Sequence, residues 1–140
     1  MSLKDKTLSY LLRPRVVHQL PGRLRIHLPL LQRIGGENGS VVDLAARLVA
    51  VPDGITDVQA APATGNVLVQ YDAEALDAED VQRYLHALTR MCVANRARFA
   101  RTTTEAAQQA EKRLRDWLRT RLNDDLDLEG DLRIPDDVLA

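Results

Sequence analysis

At 140 residues, with 45% hydrophobic and 28% charged side chains, the chain is long enough for one globular domain with a real core plus an appendage. A formal net charge of −1 argues against a polycation that grips nucleic acid, and no apolar run approaches the roughly 20 residues of a membrane span. The single cysteine, Cys92, excludes both an intrachain disulfide and a thiolate pair.

Aromatic residues are only 4% of the chain, so the core has to be aliphatic. The N-terminus lacks the apolar core and small-residue cleavage site of a signal peptide, which predicts a cytoplasmic protein. Charge is blocked along the chain. Residues 1–36 carry seven Lys/Arg against Asp5 alone; 93–122 is basic again; the tail from Asn123 sets seven carboxylates against Arg133. Such blocks pair with each other or with a partner.

Residues 1–12 read as a short amphipathic arm carrying Leu3, Leu8, Leu11 and Leu12. Pro14 keeps the chain extended into Val16 and Val17, and Pro21-Gly22 marks a turn. From Arg23 to Leu28 the pattern alternates strictly: Leu24, Ile26 and Leu28 on one side, Arg23, Arg25 and His27 on the other. A strand repeats every two residues, so this is a half-buried strand with an apolar inner face and a cationic outer one.

The segment 32–39, with Gly35-Gly36, reads as a flexible loop. Ser40 and Asp43 then resemble a capping box, and Leu44, Leu48 and Val51 recur at helical spacing over 41–51. Pro52-Asp53-Gly54 stops that helix. Residues 55–61 and 67–71 are strands joined by a tight turn at 63–66. Asp77 caps a second helix, with Leu76 and Val81 as its staple and Val81, Leu85, Leu88 and Cys92 as its stripe; His86 lies on its surface.

Strand, helix, strand, strand, helix is most of a ferredoxin-like split βαβ sandwich, an α+β fold. Arg and Ala crowd residues 91–99, which favours helix there over an ordinary fourth strand. Without that strand the sheet keeps an open edge, for the extra helix or a second copy of the chain to cover in a homodimer. Residues 104–122 form a basic amphipathic helix, with Leu114, Trp117 and Leu118 as packing or oligomer anchors. The expected organisation is therefore an arm at 1–12, a sandwich at 13–92, a helical extension at 93–122, and an acidic, mostly flexible tail at 123–140 that can dock.

The functional candidates are Arg13, His18, Arg23, Arg25 and His27. Forked guanidinium donors suit a carboxylate or phosphate, which makes them a partner- or anion-binding set. His18 and His27 offer an alternative as imidazole ligands for iron or zinc, against the repulsion of adjacent arginines and short of the three or four donors a competent site wants. Nucleic acid is disfavoured because the first strand has no stacking aromatic and the third offers only Tyr71 near its end. Arg23 and Asn66 are a thin echo of the arginine and asparagine of acylphosphatases, without a phosphate-cradling loop. No other catalytic constellation appears, so no enzymatic activity and no cofactor are expected.

The elements His18-Gln-Leu-Pro-Gly-Arg-Leu-Arg-Ile, Val51-Pro-Asp-Gly-Ile-Thr-Asp-Val and Pro62-Ala-Thr-Gly-Asn-Val-Leu-Val-Gln-Tyr carry a resemblance. Over about residues 13–90 the chain resembles divergent heavy-metal-associated-like domains. These occur at the N-termini of P-type metal-transporting ATPases and as small proteins encoded beside them. The resemblance implies a ferredoxin-like fold and a place in transition-metal handling, with such an ATPase as partner. Arg13-Pro14 is similar to the lead-in of ATPases and accessory proteins of bacterial iron-storage compartments, which implies iron and a compartment protein as partner; separately, Gly130-Asp131-Leu132-Arg133-Ile134 gives the acidic tail the character of a short targeting peptide. Metallochaperone relatives capture soft metals through Cys-x-x-Cys after the first strand. Here the loop runs Pro29-Leu-Leu-Gln-Arg-Ile-Gly-Gly-Glu-Asn-Gly-Ser, with no thiol or imidazole. The expectation is an accessory module that presents Arg23, Arg25 and His27, or the basic helix, to an acidic partner.

Overall fold

Leu24 and Ile26 are wholly buried while Arg23 and Arg25 are exposed. The alternation in the sequence is thus that of strand β2 (Arg23–His27). The computed structural model describes residues 2–35 and 39–139. In it β2 lies between β1 (Arg15–Leu20) and β4 (Asn66–Tyr71), with β3 (Ile55–Ala61) beyond β4. Every neighbouring pair is antiparallel. β2 and β3 therefore run parallel with β4 inserted between them, and helix α3 (Gly39–Val49) is their crossover. This is the split βαβ of an α+β sandwich.

The fourth strand comes from upstream. β1 forms a hairpin with β2 through Pro21-Gly22, where Gly22 has φ 73°, and takes the edge position that a strand after the second helix would occupy. The expected vacant edge is filled, and the stretch beyond Met91 is helical: α4 (Ala78–Ala94) is followed directly by α5 (Arg96–Arg101).

The inner sheet face is sealed by helices. Val67, Val69 and Tyr71 of β4 join Leu24 and Ile26 beneath Val42, Leu48 and Val49 of α3 and Val81, Tyr84, Leu85 and Met91 of α4. Tyr84 is fully buried, so its hydroxyl needs a partner, and it donates to the Leu48 carbonyl at 2.6 Å. At the head of α4 the Asp77 carboxylate accepts from the Asp80 N–H at 2.8 Å, and Asp80 accepts from the Asp77 N–H at 3.0 Å, a reciprocal capping box.

Helix α6 (Thr104–Arg121) buries Ala110, Leu114, Trp117 and Leu118 and packs on α3. In the N-terminal arm, α1 (Leu3–Leu11) packs on α4 with Leu3, Tyr10 and Leu11 exposed.

Three expectations need correction. Part of the anticipated loop after β2 is helix α2 (Pro29–Gly35); residues 36–38 and the Ser40 cap side chain lie outside the described residues. His86 is half-buried, against the end of α1. The acidic tail, expected to be mostly flexible, is packed. Leu122 bridges Leu128, and Leu126, Leu128, Ile134 and Val138 are buried, the last in the short helix α7 (Asp136–Leu139). The spaced apolar residues and the polar anchors between them explain it: each buried aliphatic side chain contributes about 1.5–3 kcal/mol, and Asn95, Arg90 and Arg98 hold the intervening strap.

Candidate functional site

Five cationic or titratable side chains share the outer face of the sheet because of register. His18 pairs with Arg25, Leu20 with Arg23, and Arg15 with His27. On the other flank Arg23 lies across from Gln70, Arg25 from Leu68 and His27 from Asn66. Facing residues in paired strands point to the same side, so Arg15, His18, Arg23, Arg25 and His27 form one patch.

Arg15 reaches this patch by a β-bulge. Between Val16 and His18 the register slips by one residue. Unbroken alternation from His18 would turn Val16 outward and Arg15 inward; the extra residue reverses that. Reading the residue pattern alone therefore passes over Arg15. Paired β-branched residues ahead of a Pro-Gly turn are the only hint that the sequence holds.

No hydrogen bond or ion pair among the described residues engages the side chains of Arg15, His18, Arg23 or Arg25. Along β2, Arg23 and Arg25 project about 7 Å apart, where two cations in water repel by only about 0.6 kcal/mol. So weak a repulsion lets the patch persist without an internal carboxylate. His27 is half-buried, its Nδ1 lying 3.3 Å from Asn66 Oδ1. Arg13 lies just before β1, its guanidinium 4.2 Å above the Tyr10 ring and donating to the Tyr10 carbonyl at 2.9 Å.

The basic helix is different. Glu111 takes Arg47 at 2.7 Å and Arg115 at 3.6 Å; Asp116 takes Lys112 at 3.0 Å and Arg119 at 3.8 Å. In α5, Arg98 meets Asp136 and the Ile134 carbonyl of the tail. Arg121 stacks 5.7 Å from Trp117. These cations are engaged within the chain.

The donor set does not suit a metal ion. No cluster of three His, Cys, Asp or Glu converges among the described residues. His18 and His27 sit diagonally, each directly opposite an arginine. Cys92 lines an apolar cavity of about 130 Å³ with Leu30, Leu31, Leu85, Leu88 and Phe99. Burial there pushes its thiol up to about 12, far from the thiolate that binds metal. The acylphosphatase echo also dissolves: Arg23 and Asn66 are four register positions apart, about 13 Å along the strands.

No helix among the described residues is long and apolar enough to cross a membrane. No curated protein and no solved structure matches the chain. The family model for heavy metal associated domain 2 matches residues 13–132, which takes in the β1–β2 hairpin, both sandwich helices and the C-terminal helical part. The chain belongs to the heavy metal associated domain 2 family.

Proposed function

We propose that this protein is a non-enzymatic accessory module of transition-metal homeostasis that docks an acidic protein partner on its outer sheet face. Family membership supports the metal-related role. One observation carries the docking: Arg15, Arg23 and Arg25 stand exposed and unpaired on one face, whereas the cations of α6 are largely taken by Glu111 and Asp116. Between the two basic surfaces the sheet face is the one with free donors. Forked guanidinium groups favour carboxylates, so the partner presents Asp or Glu side chains. By the family resemblance that partner is a metal-transporting P-type ATPase, with iron as the cargo.

Direct metal binding through His18 and His27 is the competing reading, and the thin donor set counts against it. Targeting by the C-terminal tail is disfavoured because Ile134 and Val138 are buried in the body of the protein. Two measurements test the proposal. Capture of the ATPase from native membranes is expected with the wild type and with Arg119→Glu, and lost with Arg23→Glu/Arg25→Glu. Full capture by the sheet-face variant overturns it. Iron or zinc binding at one equivalent that disappears in His18→Ala/His27→Ala moves the function to metal binding itself.

A further inference from the structure

We infer that the docking face includes the outer edge of β1, and that the partner contributes an extended acidic segment that adds to it as a fifth strand. The inference rests on the docking reading above and specifies how the partner sits.

The two edges of the sheet differ in kind. β3 exposes Thr56, Asp57, Gln59 and Ala61, a polar edge with one acid. β1 exposes all six of its residues, and Val16, Val17 and Leu20 are 42%, 52% and 49% accessible. Its neighbour β2 occupies one side only, so the backbone amides and carbonyls of its other side have no strand partner among the described residues. An edge with free backbone groups and apolar side chains is a template for strand addition. Six residues at about 3.3 Å each make a seat about 20 Å long, enough for a short segment.

Charge selects the occupant. Arg15 and His18 border this seat on the outer face, with Arg23 and Arg25 one strand further in. A second copy of the chain pairing β1 with β1 would bring two such sets onto one continuous sheet face. The repulsion is modest, but such a pairing leaves every one of these cations without a carboxylate, which an acidic segment supplies. The chain's own acidic tail is already held by the helices through Leu126, Leu128, Ile134 and Val138. An acidic segment from another protein meets neither obstacle. Alternating carboxylate and aliphatic residues suit the seat: carboxylates toward the arginines, aliphatic groups on the side of Val16.

The bulge beside Val17 and the charge of Arg15 are also devices by which proteins blunt an edge against indiscriminate pairing. Here they sit beside three exposed aliphatic side chains, a combination that favours acidic strands over basic ones.

The probe is a fluorescein-labelled eight-residue peptide of alternating Glu and Val, titrated into the full chain at low salt. A matched peptide carries N-methyl groups on every second amide, which removes strand hydrogen bonds and keeps the charge. The unmodified peptide is expected to bind at least tenfold more tightly than the methylated one. It should also slow amide exchange along β1 at least tenfold, and lose at least tenfold in affinity in Arg23→Glu/Arg25→Glu. Equal binding of the two peptides overturns strand addition while leaving charge docking intact. Binding of neither peptide overturns it as well, and capture of the ATPase then decides the docking reading separately. A peptide-free dimer with β1 amides already protected assigns the edge to a second copy and also overturns the inference.

Discussion

Asn95 clasps the backbone around Ile134: its Oδ1 accepts from the Ile134 N–H at 3.0 Å, and its Nδ2 donates to the Leu132 carbonyl at 2.8 Å. The same amide also donates to the Met91 carbonyl at 2.8 Å, and Asn95 is only 1% exposed. The residue between α4 and α5 thus joins the helix layer to the tail. Asn95→Ala leaves a buried N–H and a carbonyl without partners, at about 1–3 kcal/mol for each group left unsatisfied. The expected result is a lower melting temperature, with amide exchange accelerated first at residues 126–138. Unchanged exchange in that segment would show that the apolar contacts alone hold the tail.

How much of this was legible depends on whether a signal was local. Leu24 and Ile26 declared their burial through alternation, and Asp77 declared the start of α4 through its side chain. Leu114, Trp117 and Leu118 followed from helical spacing. Each of these needs only neighbours in sequence. β1 was harder, because its value as the fourth strand depends on β2 wanting a partner, and its bulge changes which residues face outward. The tail was harder still. Its seven carboxylates suggest solvation, while Ile134 and Val138 find their partners on helices far back in the chain. Arg23 and Arg25 were visible as a cationic face, and the pairing of Lys112, Arg115 and Arg119 with Glu111 and Asp116 is equally local; the tie from Glu111 across to Arg47 of α3 was not, since the two are distant in sequence.

Gly22 controls the hairpin that presents the candidate site. Its φ of 73° lies in the left-handed region, and a Cβ there would sit 2.9 Å from the Tyr71 carbonyl oxygen. That oxygen is backbone, so it cannot swing away, and the Gly22 carbonyl accepts from the Tyr71 N–H at 3.0 Å. Gly22→Ala combines left-handed strain of about 1–2 kcal/mol with this clash, for a total of about 2–3 kcal/mol. Chemical denaturation should register the loss, and amides of β1 should exchange faster than those of β3. A variant as stable as the wild type would contradict the tight turn.

Acid should release the N-terminal arm. Arg96 donates to Asp5 at 2.5 Å, and this hydrogen bond holds the Asp5 carboxyl below its ordinary value. His86, beside Ser9, Tyr10 and Arg13 at the end of α1, is also lowered, first by burial and then by the charges of Arg90 and Arg13. Both shifts carry the same sign. A depressed folded-state value stabilises above the unfolded value and loses that contribution as pH falls through the folded one. His86 therefore begins to favour release below about pH 6.5, and Asp5 follows below about pH 4. Exchange of α1 amides should accelerate across that range while α4 stays protected. Asp5→Asn should remove the lower step and loosen α1 at neutral pH; constant α1 protection from pH 7 to pH 3 would refute the coupling.

Cys92 gives the sharpest test of the cavity beneath α2. Its side chain faces Leu30, Leu88 and Phe99, and although it is only half-buried, loss of solvation raises its thiol to about 12. Reaction requires the thiolate, whose fraction at pH 8 is roughly a thousandfold below that of an ordinary thiol. Labelling by an aromatic disulfide should accordingly run at least a hundredfold slower than with free cysteine, and reach full rate in denaturant. Because α2 and Phe99 form the wall, Phe99→Ala should speed the reaction more than it lowers stability. Rapid labelling of the native wild type would mean that the thiol faces solvent and would refute the raised thiol.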